Sequence, residues 1–198
     1  LLSPTFIPYR LGLRRRLQVH GIVQGVGFRP WVYTLARRFG LSGYVLNSTL
    51  GVEVDVEGSD ASVAAFLAEF RAHPPALAQM DETLEEGLPP GAASDFAIRS
   101  SRAEAGEFVL VPPDIATCPE CLADLREPSN RRYGYPFTNC TNCGPRYSII
   151  RDIPYDRPRT TMAGFPMCAA CEAEYHDPAD RRGEPHRDTV PAGDQFRR

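Results

Sequence analysis

The chain has 198 residues, 42% of them hydrophobic, with 22 basic against 25 acidic side chains for a net charge of −3. That length allows one large domain or two small ones with a packed core. The slight acidic surplus disfavours a nucleic-acid partner. No run of about 18 apolar residues exists to span a membrane. The N-terminal stretch carries its basic residues after its apolar ones, the reverse of a secretory signal, so a cytoplasmic protein is expected. The chain begins with Leu1, which predicts a trimmed or misassigned start. Most of the nineteen prolines lie from Pro74 onward, which predicts a compact first half and a loop-rich second half.

Arg16 to Val23 alternates, with Leu17, Val19, Gly21 and Val23 on one side, the pattern of a half-buried strand. The glycine-rich stretch Gln24-Gly25-Val26-Gly27-Phe28-Arg29 follows. Pro30 suits the first turn of a helix, where a missing N–H costs nothing. Val32, Leu35, Ala36 and Phe39 then make one apolar stripe, with Gly40 as the expected C-cap. A hairpin is expected from strands Gly43–Thr49 and Val52–Glu57, turning at Leu50-Gly51. Ser59 or Asp60 can cap a second helix striped by Val63, Phe66, Leu67 and Phe70 and stopped by His73-Pro74-Pro75. A last short strand is expected near Phe96–Ser100. The order β-α-β-β-α-β is the ferredoxin-like arrangement of an α+β fold, with two helices over one sheet face.

Gly25 and Gly27 allow dihedrals that turn successive backbone N–H groups inward. The loop opens into a helix N-terminus, whose partial positive charge favours an anion. Arg29 stands at that junction and offers a planar fork of donors to phosphate oxygens. The same residues also read as a tight turn followed by a solvated arginine. His20, facing outward from a strand, is expected to be structural.

His20-Gly21-Ile22-Val23-Gln24-Gly25-Val26-Gly27-Phe28-Arg29 resembles the signature of the acylphosphatase family, and Gly43-Tyr44-Val45-Leu46-Asn47 resembles its second signature. The resemblance implies that Arg29 and the N–H groups of Gln24 to Phe28 bind a phosphoryl group, and that Asn47 orients the attacking water. A neutral amide can place a water but hardly deprotonate it. An acyl phosphate has a good leaving group, so positioning and charge stabilisation can suffice.

All six cysteines follow this half, in three Cys-x-x-Cys pairs: Cys118/Cys121, Cys140/Cys143 and Cys168/Cys171. Eighteen residues separate the first two pairs and twenty-four the next. Paired thiols at that spacing point to zinc, and four thiolates make a closed, structural site. A redox pair would occur once, at the head of a helix after a strand. A Pro-rich segment of this kind takes much of its stability from the metal. Acidic residues interspersed around Arg131-Arg132 and Arg181-Arg182 favour protein docking or domain bracing over nucleic acid.

These spacings, with Pro112-Pro113-Asp114 before them and Asp177-Pro178-Ala179-Asp180-Arg181-Arg182 after, resemble the hydrogenase-maturation carbamoyltransferases, the HypF family. The expected divisions are an acylphosphatase-like domain at 14–101, a linker at 102–117, a zinc-finger region at 118–182 and a divergent polar tail at 183–198. The family's fourth cysteine pair would fall at Val190 and Gly193, so Cys168 and Cys171 are an incomplete second zinc site that could recruit His176 or His186, both otherwise expected to be exposed. The resemblance ends after Arg182, which predicts a truncated or frame-shifted copy lacking nucleotide-binding and transfer domains. It implies hydrolysis of carbamoyl phosphate or another acyl phosphate, the first step towards the cyanide ligand of a nickel–iron hydrogenase, with a maturation protein as partner. The competing expectations are a zinc-stabilised docking module and a non-functional remnant.

Overall fold

The computed structural model describes residues 12–102, 115–144, 149–152, 157–177 and 180–183. Five strands and two helices build the first half: β1 (Leu13–Ile22), α1 (Phe28–Arg38), β2 (Ser42–Ser48), β3 (Gly51–Gly58), α2 (Asp60–Ala72), β4 (Gln79–Leu88) and β5 (Phe96–Ile98). The sheet order is β4-β1-β3-β2-β5, antiparallel throughout except that β5 runs parallel to β2. This is the expected ferredoxin-like α+β fold with one strand more. The expected strand near Phe96 exists as β5, but β4 completes the ferredoxin-like order beside β1. β4 escapes a periodicity reading because it is an exposed edge strand, Leu84 being 53% exposed. Backbone pairing and ion pairs such as Arg15–Glu85, at 3.0 Å, hold it.

The apolar stripes behave as expected. Leu17, Val19, Val52, Val54 and Val56 are fully buried beneath Val32, Ala36, Val63, Phe66 and Phe70 of the helices. Ser59 caps α2, its hydroxyl accepting from the Ser62 N–H at 3.1 Å. Phe39, not Gly40, is the C-cap of α1, and the Gly40 N–H returns to the Arg37 carbonyl. The hairpin turns at Thr49-Leu50, one residue earlier than expected, with Ser48 paired to Gly51.

The outer sheet face departs from simple alternation. Glu53 and Asp55 of the central strand β3 are 6% and 1% exposed. Arg14 Nε meets Asp55 at 2.8 Å, Arg102 meets Glu53 at 2.8 Å, and the Tyr44 hydroxyl donates to Glu53 at 2.7 Å. Arg99 lies over the Tyr44 ring at 3.8 Å. Buried charges need such partners to offset lost hydration.

The second half carries two eight-residue helices, α3 (Pro119–Arg126) and α4 (Ala169–His176), with short 3₁₀ turns between them. Its buried cluster consists of Cys121, Cys140 and Cys143, with Cys118 against them. Among the described residues no helix is long and apolar enough to cross a membrane. His186, Val190, Gly193, Pro112-Pro113-Asp114 and most of the linker and tail lie outside the described residues.

Phe70 is fully buried and touches three rings, Phe28 at 5.8 Å, Trp31 at 5.2 Å and Phe66 at 5.6 Å. Phe70→Ala should cost about 3–5 kcal/mol of stability, read as a lowered midpoint in urea unfolding.

Candidate functional site

The glycine loop joins β1 to α1 in a double left-handed turn. Gly25 has φ 72° and Gly27 φ 75°, values that L side chains adopt only with strain. Gly27 is the N-cap of α1 and offers no side chain to that helix end. No described hydrogen bond takes up the backbone N–H groups of Gln24, Gly25, Val26 or Gly27. Converging N–H groups at a helix N-terminus form an anion cradle.

Two side chains anchor the loop. Gln24 is 1% exposed, and its amide nitrogen donates to the Ser48 and Gly51 carbonyls at 2.7 and 2.8 Å, pinning the loop to the β2–β3 hairpin. Phe28 is 1% exposed and packs with its ring tilted against Trp31 at 5.2 Å. Val26 is buried in the core.

Arg29 and Asn47, eighteen residues apart in sequence, meet at the loop. With its amide oxygen facing the guanidinium, the orientation that satisfies both groups, Asn47 accepts from Arg29 Nε and Nη2, both at 3.2 Å. Arg29 Nη1 also donates to Ser101 Oγ at 3.3 Å. Both members of the pair are buried. The pairing fixes the guanidinium plane, and the fork then presents a set direction to an anion. Ser101 and the anchoring role of Gln24 have no signal in spacing, because only the folded sheet brings them to the pair. His20 sits half-buried on β1 opposite Glu82 of β4.

The second half brings Cys118, Cys121, Cys140 and Cys143 together, their sulfurs all within 4.8 Å of one another. Neighbouring sulfurs stand 3.5 Å (Cys118–Cys140) and 4.0 Å (Cys140–Cys143 and Cys121–Cys143) apart. A tetrahedral zinc with bonds of about 2.3 Å needs sulfurs about 3.8 Å apart, so this donor set fits the ion. Hydrogen bonding between Cys140 and Cys143 lowers the Cys143 thiol and raises that of Cys140.

Cys168 and Cys171 stand apart from this tetrad, Cys168 exposed and Cys171 half-buried. His176 is exposed at the end of α4 and packs on Tyr175. Cys118 and Cys168 head α3 and α4, so two of the three pairs do occupy helix N-termini. No described strand leads into either helix.

A second pattern links these pairs. Cys118, Cys121, Asp124, Arg131 and Arg132 recur fifty residues later as Cys168, Cys171, Glu174, Arg181 and Arg182. Each arginine pair serves the opposite copy. Arg181 and Arg182 donate to Cys121 Sγ at 3.1 and 3.5 Å and pair with Asp124. Arg131 donates to Cys168 and Cys171 Sγ at 3.6 and 3.2 Å, and Arg131 and Arg132 both pair with Glu174. Burial raises the Asp124 and Glu174 carboxyls, but their arginine partners outweigh it and hold both below the usual range. At Cys168 the thiol is lowered, first by the Cys171 N–H, then by the Cys171 side chain and Arg131. The sequence signal for these residues is the fifty-residue self-similarity.

The cradle opens into a cavity of about 850 Å³ whose walls include Arg29 and Asn47 on one side and Arg131, Tyr135 and Cys140 on the other. Together these features define a ferredoxin-like domain with a glycine loop at a helix N-terminus, carrying a four-cysteine finger. Residues 15–98 match the family model Acylphosphatase, and residues 117–150 match the model HypF finger. The acylphosphatase of Thermotoga maritima is 39% identical over 85 residues, 42% of this chain and 93% of that protein. The chain belongs to the acylphosphatase family.

Over both regions it is similar to the N-terminal part of the HypF carbamoyltransferases. The carbamoyltransferase HypF of Rhodobacter capsulatus is 52% identical over 172 residues, 84% of this chain and 22% of that protein. HypF of Synechocystis is 47% identical over 149 residues, 75% of this chain and 19% of that protein. A crystal structure of full-length HypF in the phosphate- and nucleotide-bound form superposes with a TM-score of 0.81 at 48% identity, covering 86% of this chain and 23% of that one. The chain thus spans about a fifth of the length of these carbamoyltransferases.

Arg181 grips a cysteine sulfur from outside the tetrad. Arg181→Ala should lower zinc affinity by about tenfold or more, measured by competition with a chromogenic chelator.

Proposed function

We propose that this chain binds an acyl phosphate in the cradle and hydrolyses its carboxyl–phosphate bond. The adjacency of Arg29 and Asn47 at a loop with uncommitted N–H groups carries this reading. Arg29 and the N–H groups of Gln24 to Phe28 hold the phosphoryl oxygens, where charge grows as the bond breaks. Asn47 orients the water that attacks phosphorus, and the carboxylate leaves with the bonding electron pair. No strong general base is needed with so good a leaving group.

Similarity to the HypF carbamoyltransferases favours carbamoyl phosphate as substrate, with carbamate and inorganic phosphate as products. In a longer protein of that family the carbamoyl group would go on to hydrogenase maturation through domains beyond these 198 residues. The domain divisions we assign are 14–101 for the hydrolytic domain and 118–182 for the finger, with 102–117 joining them. Zinc in the tetrad of Cys118, Cys121, Cys140 and Cys143 is structural, since four thiolates leave no open position for a substrate. Within these 198 residues Cys168 and Cys171 form a half-site. A docking role is a second reading, favoured by Tyr133, Tyr135, Phe137 and Phe165, which are 46% to 62% exposed.

Phosphate release from carbamoyl phosphate and acetyl phosphate tests the enzyme. Arg29→Ala and Asn47→Ala should each reduce the rate by about 10²-fold or more. No release from the folded, zinc-loaded chain would leave the docking module or a non-functional remnant. Metal analysis of the purified chain should find about one zinc. Two zincs per chain would contradict the half-site.

A further inference from the structure

The cradle has a second wall, and the four-cysteine region supplies it. The turn at residues 140–144 lies directly on the phosphate loop. A Cβ built on Gly27 would stand 3.0 Å from Thr141 Cβ and 3.1 Å from the Thr141 carbonyl oxygen. A Cβ built on Gly144 would stand 2.3 Å from the Gly25 carbonyl oxygen, too close for any side chain. Both left-handed glycines of the loop therefore rest on this turn.

The metal site in turn fixes the turn. Cys140 and Cys143 supply two of the four sulfurs. The Thr141 N–H and hydroxyl both donate to the Arg181 carbonyl, at 2.7 and 2.9 Å. The guanidinium of that same Arg181 donates to Cys121 Sγ at 3.1 Å. A continuous path of contacts thus runs from the sulfurs through Arg181 and Thr141 to Gly27, whose carbonyl accepts the Trp31 N–H at 3.1 Å in the first turn of α1.

We propose that Thr141 and Gly144 are positioning residues for the phosphate site, so that metal in the tetrad and an anion in the cradle bind cooperatively. This rests on the reading of the cradle as a phosphate site. The physical reason is preorganisation. Loop N–H groups bind an anion well only when already convergent, and a metal that orders the turn meets that ordering cost before the anion arrives. Linkage makes the effect reciprocal, so the anion must tighten metal binding by the same factor. The Thermotoga maritima acylphosphatase aligns over 85 residues that are 93% of its length, which leaves no room for such a turn. The second wall is an addition to the acylphosphatase domain.

The test uses the full chain and inorganic phosphate. Trp31, the only tryptophan, packs 5.2 Å from Phe28 of the loop and reports binding by fluorescence. Zinc-loaded chain should bind phosphate about fivefold or more tighter than chelator-stripped chain. Saturating phosphate should raise zinc affinity by the same factor. Thr141→Ala at full zinc content should weaken phosphate binding, and Thr141→Ser, which keeps the hydroxyl bond to Arg181, should restore most of it. Equal phosphate affinity with and without zinc, with circular dichroism showing the sheet intact, overturns the coupling alone. Wild-type affinity in Thr141→Ala overturns the positioning role. Failure of the zinc-loaded chain to bind phosphate at all, with Arg29→Ala behaving identically, overturns the phosphate reading and the coupling with it.

Discussion

Successive N–H groups of a loop face a single anion only where the chain is turned to bring them together. The double left-handed turn at Gly25 and Gly27 is of that kind, and much of the structure serves to keep it. Gln24 pins it to the hairpin that carries Asn47, and Phe28 roots it in the aromatic cluster around Phe70. The cysteine-bearing turn closes over it from the other side. Donors held this way need no reorganisation when charge develops in front of them, which is the most effective form of electrostatic stabilisation.

The sheet meets this demand with two different faces. Helices cover one face with apolar side chains, while arginines, Tyr44 and two buried carboxylates cover part of the other. The ionic side reaches the site. Arg102 pairs with Glu53 and donates its N–H to the Asn47 carbonyl at 2.8 Å. It follows Ser101, whose hydroxyl accepts from Arg29. The segment after β5 is thus tied at one end to the buried charges and at the other to the Arg29–Asn47 pair.

Among the described residues of the finger the buried cluster is the cysteines themselves, so ionic contacts, and a metal where one is bound, must do what burial does in the first domain. The finger's two copies cross over: Arg181 and Arg182 reach Cys121 and Asp124, and Arg131 and Arg132 reach Cys168, Cys171 and Glu174. Arginine N–H groups directed at the Cys121 sulfur would disperse the negative charge that four thiolates leave on a divalent ion. Those same contacts lock the copies together. A metal held by the tetrad would therefore bear on the fold of both copies.

The sequence by itself determined the order of the first three strands and both helices, the apolar stripes, the glycine loop and the cysteine pairs. These rest on local rules: periodicity, conformational freedom at glycine and the short reach between Cys-x-x-Cys thiols. It also held the fifty-residue recurrence, legible only when the flanking Asp124/Glu174 and arginine pairs are compared along with the cysteines. Tertiary structure alone decided what depends on contacts between distant segments. It made β4 a strand, since an exposed edge is set by a neighbour's hydrogen bonds and not by its own apolar pattern. It buried Glu53 and Asp55, because alternation tells which face a residue takes but not what covers that face. It also set the cysteine turn against the glycine loop, joining two motifs more than a hundred residues apart in one cavity.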